Sequence, residues 1–237
     1  MSSFDYAERH VVVTGGSGAL GGALVALLVN RGATCYVPCY SASQLDEFDY
    51  QSHERVHVQT GVNLCEEESA VKYFEGLPGL WGCLNIAGGF SAKPFAETSL
   101  EEFRRMLDMN ASTCFLASRE TLKNMRTVED SQPGGRIVNV GAKVVTDPVG
   151  GMVAYAAAKA AVVAITLSLA EEVRDEKIWV NAVIPSIMNT KVNRKALPKA
   201  DHSKWPSLPA VAETIAFLAS PLNQATRGAL VPVYGLS

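Results

Sequence analysis

The chain predicts an α/β protein of the doubly wound, Rossmann type: one mostly parallel sheet of seven strands with helices on both faces. Three observations predict it. Short apolar or β-branched runs alternate with helical segments along all 237 residues, with no repeat, low-complexity tract or break in composition. The first run leads into a glycine-rich turn, Gly15-Gly16-Ser17-Gly18-Ala19-Leu20-Gly21, followed by an apolar helix. A later run ends at a second small-residue turn, Ala87-Gly88-Gly89, at a place where a nucleotide-binding sheet needs one.

Taken in order, residues 9–14 (RHVVVT) read as the first strand and residues 22–31 as the first helix. Strand, glycine turn and helix form a phosphate-binding arrangement: glycines let the backbone approach a pyrophosphate, and the helix N-terminus offers unpaired N–H groups. An ordinary strand-to-helix turn would have the same outline. Thr34–Pro38 reads as the second strand. An acid at its end would bind an adenosine ribose and repel a 2′-phosphate. The sequence has Cys39-Tyr40-Ser41 there, so that repulsion is missing and no arginine replaces it; the balance favours NADP(H) over NAD(H).

Residues 41–55 are polar and aperiodic, a loop or poor helix, and Val56–Gln59 reads as the third strand. Asn63-Leu64 and an acidic stretch open a helix ending near Phe74. Residues 81–86 (WGCLNI) are a buried-strand pattern, residues 99–106 start a helix, and residues 110–125 continue helically. Asn110 stands at the edge of an apolar stretch, either as a structural group or in a proton path. Residues 130–134 signal a turn before the fifth strand, 136–140. A loop to Gly151 precedes a long helix, residues 152–174. The sixth strand, 178–184, is broken by Pro185. Residues 186–209 form a long polar connection containing Trp205, followed by a closing helix, 208–220, and a last strand, 228–233.

The long helix carries Tyr155 and, four residues on, Lys159. That spacing puts phenol and ammonium on one helix face, where a cation favours the phenolate and makes the hydroxyl a usable proton donor or acceptor.

Composition excludes other classes. The length and a hydrophobic content of 48% suit one domain spanning residues 1–237. A net charge of -3 with no basic cluster leaves no footprint for nucleic acid or a membrane surface. The apolar run 160–170 stops short of a membrane span, and the N-terminal residues have no apolar signal core, so a cytoplasmic location is expected. The five cysteines read as free buried thiols, and the scattered histidines give no metal-ligand spacing.

These residues resemble the short-chain dehydrogenase/reductase family over essentially the whole chain. TGGSGALG (14–21) is similar to the family's cofactor turn, Asn63 to its adenine-contacting position, and NIAG (85–88) to its Asn-Asn-Ala-Gly motif. The resemblance implies that Gly15, Ser17, Ala19, Leu20, Gly21, Tyr40, Asn63, Ala87, Gly88 and Lys159 bind NAD(P)(H), with Pro185, Ile187 and Thr190 seating the nicotinamide. It implies that Tyr155 moves the proton, Lys159 lowers its pKa and Asn110 carries a water. The family's catalytic serine falls at Ala142, which offers no hydroxyl to a carbonyl oxygen, so simple ketone chemistry is in doubt. AGGF (87–90), GAK (141–143) and NRKALPKADHSKW (193–205) are similar to dihydropteridine reductases, which reduce a quinonoid dihydropterin. Phe90, Ala142, Lys143 and Trp205 are then substrate candidates, Phe90 and Trp205 as aromatic faces or as loop anchors. The alternatives are a carbonyl or quinone reductase and a catalytically decayed nucleotide-binding protein. Alanines along the long helix, through which relatives commonly pair, imply a homodimer or homotetramer.

Overall fold

The computed structural model describes residues 5–127 and 134–237. Seven strands, β1 (His10–Thr14), β2 (Thr34–Pro38), β3 (Val56–Gln59), β4 (Gly82–Asn85), β5 (Gly135–Val140), β6 (Ile178–Pro185) and β7 (Leu230–Val233), form one sheet. Their order is β3-β2-β1-β4-β5-β6-β7, and all six pairings are parallel. Strand order reverses between β1 and β4, which opens a crevice beyond their carboxyl ends.

The helices are α1 (Ala19–Val29), α2 (Glu67–Glu75), α3 (Leu100–Leu107), α4 (Thr113–Thr127), α5 (Val153–Glu172), α6 (Lys191–Ala196) and α7 (Leu208–Ala219). Alternation along β1 shows why a continuous valine run was needed. Val11 and Val13 join the core under α1 and α7, whereas Val12 joins the core under α2 and α4. A strand covered on both faces has no solvent side to make polar.

Several boundaries differ from the expected ones. The first helix begins at Ala19 rather than Gly22, because the last residues of the glycine turn are already its first turn. The expected loop at 41–55 contains a single 3₁₀ turn, Ala42–Leu45, closed by a capping box between Ser41 and Gln44. Residues 100–127 form one helical rod, with a π turn at Asp108–Ser112 between α3 and α4. Pro185 does not break β6 but ends it, opposite Val233. The polar connection at 186–209 holds α6 and a 3₁₀ turn, His202–Lys204. Of the turn expected at 130–134, residues 130–133 lie outside the described residues. The run 160–170 is part of α5, which as a whole is long and apolar enough to cross a membrane, contrary to expectation. It packs against α3, α4 and β6.

Candidate active site

A cleft of about 1740 Å³ runs along the carboxyl ends of the strands, from the glycine turn and Tyr40 to Ala196 at the end of α6 and Leu197 just beyond it. Its first end is backbone. Gly15 sits at φ +65, and a Cβ there would lie 2.9 Å from the Ala87 backbone. A Cβ on Gly21 would lie 2.1 Å from the Gly15 carbonyl oxygen. Gly18, the N-cap of α1, gives no side-chain cap, so the first N–H groups of α1 have no side-chain acceptor. A side chain would fill this cradle; a pyrophosphate fits it, on a helix N-terminus of the right polarity. Thr14 fixes the two turns together, its Oγ1 accepting from the Ala87 N–H at 3.1 Å.

Ser17, Ala19, Leu20, Tyr40, Asn63 and Gly88 also line the cleft. The Asn63 amide is engaged within its own turn: Nδ2 donates to Glu66 at 2.8 Å, and Oδ1 accepts from the Cys65 N–H at 3.1 Å. At the end of β2, Cys39 is buried against Ser17, Sγ to Oγ 3.6 Å, while Tyr40 is largely exposed at the rim. No carboxylate stands at residues 39–41.

Tyr155 and Lys159 occupy the first half of α5 and both line the cleft. Lys159 is buried; its ammonium donates to the Val140 carbonyl at 2.8 Å and lies 6.0 Å from the Tyr155 ring centroid. The expected lowering of the Tyr155 pKa by Lys159 is not met. Burial pushes the phenol up to about 12 and pushes the ammonium down to about 8. Each charge is penalised by the same apolar surroundings, and Lys159 spends a donor on the strand rather than on the phenol.

Asn110 lies in the π turn and is buried. Its Nδ2 donates to the carbonyls of Met106 at 3.0 Å and Gly89 at 3.1 Å, and its Oδ1 accepts from the Gly89 N–H at 3.3 Å. The side chain is committed to holding the Gly88-Gly89 turn, where a Cβ on Gly88 would come within 2.6 Å of Asn110 Oδ1 and 3.4 Å of Lys159 Nζ. Below, Asn85 donates to Ser118 at 2.9 Å and Asn139 at 2.8 Å, and Asn139 donates to Thr166 at 2.8 Å. This buried ladder locks α4 and α5 to β4 and β5. Asparagine within two apolar strands is its sequence signal; Asn85 stands out in the sequence only within the NIAG motif, and Asn139 not at all.

The second end of the cleft is made of side chains. Ala142 and Lys143 follow β5, and Ala142 is buried with no hydroxyl to offer. The Phe90 ring meets Tyr155 edge-on, centroids 5.1 Å apart at 77°. Pro185 and Ile187 line the wall, together with Val149, Met152, Met188 and Leu197, which the sequence had not pointed to. Thr190 and Trp205 do not line it. Thr190 caps α6, its Oγ1 accepting from the Asn193 N–H at 3.1 Å. Trp205 is buried against His202, centroids 4.6 Å apart, and its neighbour Lys204 accepts from the Leu236 N–H at 2.8 Å. Trp205 is thus placed as a buried loop residue packed on His202 rather than as an aromatic face of the cleft.

A parallel sheet with a phosphate cradle at its switch point and a tyrosine–lysine pair beside it defines a nucleotide-dependent oxidoreductase. The short chain dehydrogenase family matches residues 9–201, and the chain belongs to that family, whose oxidoreductases use NAD(P)(H). It is 28% identical to the 3-oxoacyl-(acyl-carrier-protein) reductase of Aquifex aeolicus, over 94% of this chain and 95% of that protein. It is 30% identical to the 2,3-dihydroxy-2,3-dihydro-p-cumate dehydrogenase of Pseudomonas putida, over 76% of this chain and 71% of that one. A solved short-chain dehydrogenase/reductase from Brucella melitensis is 26% identical, with a TM-score of 0.87 and 98% of each chain covered. These names do not bring in a dihydropteridine reductase; that finer resemblance rests on residues 87–90, 141–143 and 193–205.

Proposed function

We propose that the chain reduces a planar, conjugated acceptor, with quinonoid dihydropterin as the leading candidate, and prefers NADPH. The observation that carries this reading is Ala142: the cleft wall thirteen residues before Tyr155 has no hydroxyl for a carbonyl oxygen. A localised oxyanion depends on such a donor, whereas a conjugated ring spreads the charge it gains. A nicotinamide cofactor, when held in the cleft, would supply the hydride. Tyr155, its phenol held protonated through neutral pH by burial, is a proton donor to the acceptor. Lys159 and Asn110 hold the end of β5 and the Gly89 turn in place beside Tyr155, and Phe90 would give an acceptor ring an aromatic wall. Cys39, Tyr40 and Ser41 at the end of β2 bear no charge to repel a 2′-phosphate, which supports NADPH.

The test is oxidation of NADPH and of NADH with quinonoid dihydropterin, beside 9,10-phenanthrenequinone and acetoacetyl-CoA. Pterin turnover that falls by about 10²-fold or more in Tyr155→Phe supports the reading; turnover of the thioester alone rejects it.

We also propose a cytosolic location, in keeping with five free thiols, and pairing through α5. Ala157, Ala160, Ala161, Ala164 and Leu167 leave an open stripe on that helix, with Phe115 of α4 half exposed beside it. A monomer in sedimentation at micromolar concentration would reject pairing.

A further inference from the structure

We propose that Lys143 is the residue that grips the electronegative edge of the acceptor, the carbonyl or lactam side of the ring, away from the atom that Tyr155 protonates. This rests on the reading of the cleft as a reductase site for a planar acceptor. Among the described residues, Lys143 and Lys159 are the lysines that line the cleft, and they differ in what already holds them. Lys159 is buried and bonded to the Val140 carbonyl at 2.8 Å, and Lys93 is held by both Glu102 oxygens at 3.1 and 3.2 Å. Lys143 lines the cleft, and its Nζ stands 3.7 Å from Asp147 Oδ2, beyond hydrogen-bond distance.

Its position is nevertheless defined. Lys143 opens a 3₁₀ turn, Lys143–Val145, immediately after Ala142. The Tyr234 ring backs the ammonium at 5.1 Å from its centroid, and the Tyr234 hydroxyl meets Thr146 Oγ1 at 3.3 Å. Ser186 donates to the Tyr234 carbonyl at 3.0 Å, tying that ring to the end of β6. The ammonium thus has an aromatic face at 5.1 Å and a carboxylate at 3.7 Å that also lines the cleft, and neither takes a hydrogen bond from it, so its donors are available to the cleft. A lysine is a donor only, so its partner is an acceptor: a carbonyl oxygen, a ring nitrogen lone pair or an anionic lactam edge. The absence of a hydroxyl at 142 and the presence of a cation at 143 together select substrates recognised at their rim rather than at the reacting atom.

The experiment is steady-state kinetics of wild type, Lys143→Met and Lys143→Arg with NADPH and the same three acceptors. For each acceptor that the wild type reduces, Lys143→Met is expected to raise the acceptor KM about tenfold, the size of one charge-assisted hydrogen bond. The KM for NADPH stays unchanged, kcat changes little, and Lys143→Arg recovers most of the loss. An unchanged acceptor KM, or an equal rise in the KM for NADPH, overturns the proposal. If the quinone or thioester is reduced and the pterin is not, the pterin reading falls while Lys143 is still judged on the acceptor that works. A wild type that reduces none of the three overturns both.

Discussion

Where β1 runs into α1, the cleft wall is main chain; where β5 runs toward α5, it is side chain. At the first place, Gly15 and Gly21 leave no room for even a methyl group against Ala87 and the Gly15 carbonyl. At the second, Phe90, Val149, Ile187 and Leu197 stand between 43% and 61% exposed, all on loops. Backbone reads what every dinucleotide shares, and its geometry is set by strands buried on both faces. Side chains on loops read what differs between substrates, and their replacement costs the sheet little. The chain therefore shares a cofactor class with its relatives through one end, and the other end is where a choice of acceptor would be made.

Breaking the first end should have the largest effect. Gly21→Ala drives a methyl into the Gly15 carbonyl and is expected to cost about 3 kcal/mol of stability and to abolish NADPH binding. Gly150, on the loop before α5, has nothing within 4 Å of a Cβ. Gly150→Ala should change stability by no more than about 0.5 kcal/mol. Thermal unfolding and NADPH fluorescence titration of the pair check this; equal effects would remove the distinction between the two ends.

Alkaline pH gives a smaller, graded contrast. Burial pushes Cys35, Cys83 and Cys114 each up to about 12 from an ordinary 9.0. The folded chain keeps protons that the unfolded chain releases, so this stability is present below pH 9 and is lost as pH rises from 9 toward 12. Lys159 acts in the opposite sense: its folded ammonium deprotonates at about 8 and the unfolded one at 10.5, so stability rises across that interval. Three thiols outweigh one ammonium, and Tyr6 and Tyr73, also pushed up by burial, add to the fall. Tm is expected to be lower at pH 10.5 than at pH 8, and Lys159→Met should steepen the decline. A Tm that rises over this range would contradict the burial of these thiols.

The sheet was legible because its strands are written as short, mostly apolar or β-branched runs, and the cradle because glycines mark where backbone must pass close to backbone. Tyr155 and Lys159 were legible as a pair from their spacing. The direction of Lys159 was not: its bond to Val140 depends on a strand brought beside it only by the fold. The π turn at Asp108–Ser112 was hidden for the same reason, since Asn110 reaches back to Met106 and across to Gly89, and apolar periodicity carries no trace of either bond. Trp205 shows the converse. Its setting in residues 193–205 is distinctive as sequence, yet the ring is buried against His202 and away from the cleft, because a large aromatic ring in a polar connection is also the best available anchor.

The central claim is that the wall at residue 142 sets the class of acceptor. Its most direct test is the ratio of kcat/KM for quinonoid dihydropterin to that for acetoacetyl-CoA, measured in wild type and in Ala142→Ser. The account predicts a wild type that favours the pterin and a variant whose ratio moves toward the thioester by about tenfold, the worth of one hydrogen bond to a developing oxyanion. A wild type that already favours the thioester, or a ratio that Ala142→Ser leaves unchanged, would contradict it.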